Sequence, residues 1–347
     1  VTRNYTDKYE YYEALFDPTW AQRQTPRLRP KAKHVVKKAA SEIIAELTDE
    51  VVDVQASFET TYRPSRYEEG YLLSSLASFY DKGLITDVLS LVKGGKEANV
   101  YCCAAHPATG LGLLAAKVYR PRMFRNLRND KMYQQGREVL TADGRPAGKA
   151  AGTIARAIRN KSGFGMEAAH TSWLMHEFVA LERLYQAGAA VPRPIAGSDN
   201  AVLMTYHGDE GKPAPTLNTV SLELGEAKAL FGEVLRNVDL MLRHELIHGD
   251  LSAYNILYWA RPQGGPGQIT IIDFPQVVYL HSNPKASFVL RRDIERTCEY
   301  FVKQGVRCNP RAIADELWAR YTEETDPEDL AADWSRLAEM ASPAAGG

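Results

Sequence analysis

Apolar positions along this chain follow two rhythms, and their order divides it into regions. Before about residue 60 both rhythms are weak. The segment is rich in Tyr, Arg, Lys, Pro and Glu with weak periodicity, which predicts an N-terminal extension over residues 1–60, partly disordered or laid over the surface. From Tyr71 to Ile85 the positions Leu72, Leu73, Leu76 and Phe79 keep helical spacing, with Gly83 placed to stop the helix. Ala98–Ala105 and Leu113–Tyr119 read as strands across the turn-rich Pro107-Ala108-Thr109-Gly110. Residues 120–165 break the pattern with scattered glycines and read as a long mobile insertion. A helix is predicted from about Ser172 to Ala187, with Trp173, Leu174, Phe178, Leu181 and Leu184 on one face and Gly188 ending it. Short strands follow over 191–195 and 201–206, then a Gly/Pro-rich hinge over 207–216. A helix from about Leu222 to His244, a buried strand over 269–274 and a helix over 287–303 come next. Asn309-Pro310 and Asp326-Pro327 mark the starts of two last helices, as N-cap plus N1 proline.

The order is a strand-rich half, one internal helix, a hinge, then a helix-rich half. That predicts an α+β, two-lobed arrangement with a cleft at the hinge. The boundaries read as 1–60 for the extension, 61–206 for the N-terminal lobe with its insertion, and 207–347 for the C-terminal lobe and its helices.

Composition narrows the function classes. The 347 residues are 45% hydrophobic and 24% charged, with a formal net charge of -1. There is thus no global attraction to nucleic acid or an anionic membrane, and any basic surface must be local. The insertion 120–165 is such a place: it holds eleven basic residues against three acidic ones. A phosphate- or RNA-contacting flap and a solvated loop are both open there, and the solvated loop is the simpler reading. Cys102, Cys103, Cys298 and Cys308 form no metal-ligand spacing, so a disulfide scaffold or a zinc site is not expected and a reducing compartment is. Without a membrane-length apolar run or an apolar leader at Val1–Tyr5, the expectation is a soluble, cytoplasmic protein with no membrane partner.

Chemistry concentrates at His248-Gly249-Asp250-Leu251-Ser252-Ala253-Tyr254-Asn255, followed by Ile271-Ile272-Asp273. An aspartate five residues before an asparagine, with a second aspartate ending an apolar strand, is the set phosphoryl transfer from ATP requires. Asp250 would orient the attacking hydroxyl and accept its proton, and Asn255 and Asp273 would hold Mg²⁺ (or Mn²⁺) on the phosphates. Asp, Asn and Gly also favour plain turns, but the five-residue gap and the strand ending in Asp273 argue for chemistry. Upstream, Lys93-Gly94-Gly95-Lys96-Glu97-Ala98-Asn99-Val100 could bring backbone amides to phosphate oxygens, with Val100 packing on a nucleobase. Lys117, inside the apolar strand Ala115-Ala116-Lys117-Val118-Tyr119, is costly to bury unpaired. It would grip the α- and β-phosphates, or else face water from an edge strand. Glu177 lies four residues after Trp173 on one helix face and could pair with Lys117, or else be a solvated helix carboxylate; Glu182, the local competitor, lies away from that row.

Gly-Lys-Glu-Ala-Asn-Val-Tyr at 95–101, Ala-Lys-Val-Tyr at 116–119, Trp173 with Glu177, Val202-Leu203-Met204, Pro213-Ala214-Pro215, His248–Ser252 with Asn255–Tyr258, and Ile272-Asp273 with Gln276 occur in one order. In that order they resemble the RIO family of atypical serine/threonine protein kinases, over about residues 70–305. The leading segment lacks a winged-helix pattern, so the likeness is to the first RIO subfamily; the Ala/Gly/Pro-rich text also suits a bacterial member. The resemblance implies a trimmed protein-kinase-like fold with Mg²⁺-ATP between the lobes. It implies Met204, Thr205 and His207 beside the adenine and Lys117 on the phosphates. Asp250 would be the proton acceptor, Asn255 and Asp273 the metal ligands, and Asp273 itself a phosphoryl acceptor in an ATPase-like cycle. It further implies a protein substrate or autophosphorylation, and contact with ribosomal RNA or protein. Phe274-Pro275 replaces the small residues usual after the metal aspartate, and no long activation loop is visible.

Two other classes stay open. A small-molecule phosphotransferase of the aminoglycoside or choline kinase type also uses a His-Gly-Asp loop, though usually with His where this chain has Ser252. A nucleotide-gated ribosome-assembly factor with little transfer would need the same cleft.

Overall fold

A computed structural model describes residues 60–95, 98–119, 135–160, 162–209, 211–260 and 267–322. The expectations for residues 1–59, for the helix after Asp326 and for much of the insertion lie outside that set.

The N-terminal lobe is a five-stranded antiparallel sheet in the order β1-β2-β3-β5-β4. Its strands are β1 (Ile85–Gly94), β2 (Ala98–Ala105), β3 (Leu113–Tyr119), β4 (Pro194–Gly197) and β5 (Ala201–Thr205). Helix α1 (Arg66–Asp81) precedes the sheet. It starts five residues before the periodicity predicts, because Ser65 and Glu68 close a capping box there. It also ends earlier: Gly83 takes φ 63°, and Ile85 already belongs to β1. That strand escapes a pattern search because three register irregularities against β2 break its alternation.

Strand periodicity sends alternate side chains to opposite faces. Leu114, Ala116 and Val118 of β3 face a core with Leu72, Leu76 and Phe79 of α1. Ala115 and Tyr119 face the other way, into a core shared with the long helix and the C-terminal lobe. Lys117 is therefore on the inner face by parity.

Helix α2 (Ala151–Arg159) and helix α3 (Gly163–Gln186) stand where a mobile insertion and a later helix start are expected. Two glycines at 163 and 165 depress helix propensity, which hides the true start. Ser162 caps α3 by accepting from the Gly165 N–H at 3.1 Å. A Cβ at Gly165 would lie 2.1 Å from the Ala157 carbonyl oxygen of α2, so only glycine permits this approach.

The hinge carries a minimal hairpin, β6 (Gly208–Asp209) with β7 (Lys212–Pro213). The C-terminal lobe follows with α4 (Leu224–Arg243), β8 (Leu246–Ile247), β9 (Ile256–Trp259), β10 (Gln268–Ile271), β11 (Val278–Tyr279), α5 (Ala286–Lys303) and α6 (Pro310–Thr322). The Ala312 N–H bonds Asn309 Oδ1 at 3.2 Å, the cap expected before Pro310. Phe231 of α4 and Phe301 of α5 pack at 5.0 Å in the core. β9–β10 and β8–β11 are short antiparallel pairs that hold the two loops bearing Asp250 and Asp273. The α+β, two-lobed expectation matches this architecture.

Candidate active site

On the inner face of β3, Lys117 Nζ lies 2.6 Å from Glu177 Oε1 and 2.5 Å from Asp273 Oδ1. Its ammonium also sits 5.3 Å from the centre of the Tyr119 ring. Glu177 reaches it from α3, one turn after Trp173, whose ring meets Tyr119 edge-on at 4.7 Å. Glu177 is buried, and its Oε1 also accepts from the Phe274 N–H at 3.2 Å. Its Oε2 is buried with no hydrogen-bond partner among the described residues. Burial works against the charge on Lys117, but Asp273 and Glu177 outweigh it and the net shift is upward. Burial lifts the Glu177 carboxyl above its ordinary value, while Lys117 pulls it back. Burial opposes the Asp273 charge too, yet Lys117 prevails and holds that carboxyl below its usual value.

The loop between β8 and β9 shapes the opposite wall. His248 Nδ1 lies 3.2 Å from the Asp250 N–H, and its Nε2 lies 3.0 Å from the Ile272 carbonyl. A carbonyl only accepts and an N–H only donates, so the proton of the neutral ring belongs on Nε2. Gly249 has φ 87°, and a Cβ there would fall 2.0 Å from the Gln276 carbonyl oxygen. The Gly249 N–H donates to Asp293 Oδ2 at 2.8 Å, and its carbonyl accepts from Arg292. Both partners belong to α5. Asp250 has each oxygen engaged, Oδ1 by Arg296 Nη1 at 2.6 Å and Oδ2 by Asn255 Nδ2 at 3.1 Å. Burial raises the Asp250 carboxyl above its ordinary value; Arg296 opposes this, and Asp293 and Asp273 add to it. Asp273 itself takes φ 74°, a left-handed conformation uncommon outside Gly, Asn and Asp.

These walls enclose a cleft of about 600 Å³. Gly95, Val100, Lys117, Glu177, Met204, Thr205, His207, Asp250, Asn255 and Asp273 all line it. Gly94 ends β1 and is not part of the lining. Lys96 and Glu97 fall outside the described residues. Thr205 Oγ1 and His207 Nε2 lie 3.4 Å apart at the hinge, and the His207 ring meets Trp259 edge-on at 5.1 Å. Burial pushes the His207 imidazole down to about 4, so it is neutral at pH 7.

Sequence reasoning missed the grip of α5. Arg292, Asp293 and Arg296 fall within a little over one helical turn, and they look like ordinary surface charges until the lobe is folded. It also missed how the described end of the insertion docks. Arg137 Nη2 donates to the Pro275 and Val277 carbonyls at 2.9 and 2.5 Å. His176 bridges the Glu138 carbonyl at 2.8 Å and the Tyr279 hydroxyl at 2.9 Å. This part of the insertion is thus tied to the loop that follows Asp273.

The donor set suits a hard divalent cation. Asp273 and Asn255 offer carboxylate and amide oxygens at one end of the cleft. Mg²⁺ typically takes one or two carboxylates and completes its shell with water and phosphate. Among the described residues no group of three or more His, Cys, Asp and Glu gathers as a metal cage. The same residues show no helix long and apolar enough to cross a membrane.

Residues 150–313 match the family model described as the RIO domain. That stretch contains Glu177, Asp250, Asn255 and Asp273, whereas Lys117 and the glycine loop precede it. A serine/threonine-protein kinase RIO1 from Chaetomium thermophilum is 28% identical over 242 residues, covering 67% of this chain and 42% of that protein. The human serine/threonine-protein kinase RIO1 is 29% identical over 227 residues, 65% of this chain and 35% of its own length. The RIO-type serine/threonine-protein kinase Rio1 of Haloferax volcanii is 28% identical over 241 residues, 69% of this chain and 71% of the archaeal protein. The matches thus span only 42% and 35% of the fungal and human relatives' lengths.

Proposed function

We propose that this chain is a RIO-type, Mg²⁺- and ATP-dependent serine/threonine protein kinase with autophosphorylation or ATPase turnover, a reading supported by the match of residues 150–313 to the RIO domain. The observation that carries this reading is Lys117 Nζ held between Glu177 and Asp273 in the same cleft as Asp250 and Asn255. The names of the relatives favour a protein kinase over a small-molecule phosphotransferase.

In this reading the inner sheet face and the hinge residues Met204, Thr205 and His207 hold the adenine. The Gly95 loop and Lys117 orient the phosphates, and Glu177 fixes the ammonium. Asp250 Oδ2 takes the proton of the acceptor hydroxyl as its oxygen bonds the γ-phosphorus and ADP departs. Asn255 Oδ1 and Asp273 would hold Mg²⁺ (or Mn²⁺), which supplies charge neutralisation on the phosphate oxygens. Asp273, beside Lys117, would also accept a phosphoryl group. The basic segment 120–165 would contact ribosomal RNA phosphates; Lys149, Arg156 and Arg159 are exposed in its described part.

The test is incubation with γ-labelled ATP, with and without ribosomal subunits, followed by mapping of the label. Asp250→Ala should lower transfer by about 10²- to 10⁴-fold while ATP still binds. An unchanged rate would remove Asp250 from its role. Asp273→Asn should abolish metal dependence and any hydroxylamine-sensitive label. Label that persists on this variant would exclude Asp273 as acceptor.

A further inference from the structure

The geometry points to Arg296 as a positioning residue for Asp250, an arginine supplied in cis from α5 that presents one carboxylate oxygen to the acceptor and withholds the other. The inference rests on the kinase reading above and names a residue that reading does not include.

Three observations carry it. Arg296 Nη1 lies 2.6 Å from Asp250 Oδ1, a charge-assisted contact that anchors that oxygen. The Arg296 side chain is only 15% exposed, so its guanidinium is seated in the lobe and not waving over the cleft. It stands one helical turn beyond Arg292 and Asp293, which grip the Gly249 backbone. One rigid helix thus holds both the backbone and the side chain of the catalytic loop, as preorganisation demands.

The loop itself cannot do this. From His248 to Asn255 it contains no lysine or arginine, and both ring nitrogens of His248 are committed to the backbone. The second oxygen, Oδ2, is held by the Asn255 amide. Asn255 Nδ2 also donates to the Asp250 backbone carbonyl at 2.8 Å, so its Oδ1 would hold a metal without turning, and its longer 3.1 Å contact to Oδ2 is the one to be exchanged while Arg296 keeps Oδ1. Oδ2 is then the oxygen left for the acceptor proton. The proton moves from the acceptor hydroxyl to Oδ2, the acceptor oxygen bonds phosphorus, and the bond to ADP breaks. Arg296 neither gains nor loses a bond to the reacting atoms.

The experiment compares wild type, Arg296→Gln, Arg296→Ala and Arg296→Lys for phosphoryl transfer from Mg²⁺-ATP, for ATP affinity by calorimetry, and for melting temperature. Arg296→Gln and Arg296→Ala should lose about 10- to 100-fold in kcat, with ATP affinity and melting temperature close to wild type. Arg296→Lys should recover part of the loss, and added guanidinium should restore activity to Arg296→Ala but not to Asp250→Ala. A merely structural arginine would move the melting temperature and give no guanidinium rescue. Unchanged or increased kcat in Arg296→Ala overturns the inference, the increase showing a lock on Asp250 instead. Absence of transfer in wild type itself would strike the kinase reading; ATP affinity alone would then survive.

Discussion

The cleft contains two clusters of opposite charges that differ in kind. At the sheet end, Lys117 and Glu177 form a pair almost without solvent, and the lysine also meets Asp273, whose side chain is 42% exposed toward the cleft. At the loop end, Arg296 and Asp250 pair with 15% and 37% of their side chains exposed. Buried charges depend wholly on each other, whereas a half-exposed carboxylate can turn to water when its partner leaves. The Lys117–Glu177 pair is therefore a structural element that also lines the cleft. The second is an orienting device whose loss the fold can absorb.

Replacing Lys117 by Met should break that contrast most visibly. Glu177 would be left buried with one oxygen already lacking a partner, at a cost of about 3–5 kcal/mol in chemical denaturation. Combining Lys117→Met with Glu177→Met should return more than half of it, because an apolar pair no longer has a charge to hide. A double variant as unstable as the single one would mean that Lys117 matters for packing alone.

His176 gives a second comparison, between stability at neutral and acid pH. Burial, with Arg137 adding to it, lowers the His176 imidazole from its ordinary 6.5 to about 4. The unfolded chain then binds a proton before the folded one does. Stability is full above about pH 6.5 and falls as pH drops toward about 4. His176→Gln should flatten that slope, which at full extent is on the order of 3 kcal/mol. An unaltered slope in urea titrations at pH 7 and pH 5 would assign the acid sensitivity to other groups.

Arg296→Gln should have the smallest effect on stability, under about 1 kcal/mol, since the Asp250 it abandons is partly solvated. A larger loss in the same denaturation assay would make the two clusters alike.

The sequence made one cluster easier to see than the other. Asp250, Asn255 and Asp273 are local spacings in a loop and at a strand end, so they survive without a fold. Lys117 and Glu177 were found because each stands out in its own element: a charge in an apolar strand, and a carboxylate on the Trp173 face. Arg296 gave no such signal. Its role depends on which face of α5 meets the loop, and that is decided by packing of Leu290, Ile294 and Phe301 into the core. β1 was lost to its bulges, and the start of α3 to Gly163 and Gly165, whose value is the close approach to α2 and not propensity. The hinge and the helix-rich lobe were legible because their breaks fall at Gly and Pro.

The left-handed backbone at Asp273 limits the mutational alphabet of that position as firmly as its chemistry does. A library randomised there should return Asp, Asn and Gly among well-folded clones, and β-branched residues among the rarest. Alanine, the habitual choice for a loss-of-function control, would confound a missing carboxylate with a reshaped loop. Asparagine is the cleaner control, and any history of substitution at this site would have had to pass through the same few residues.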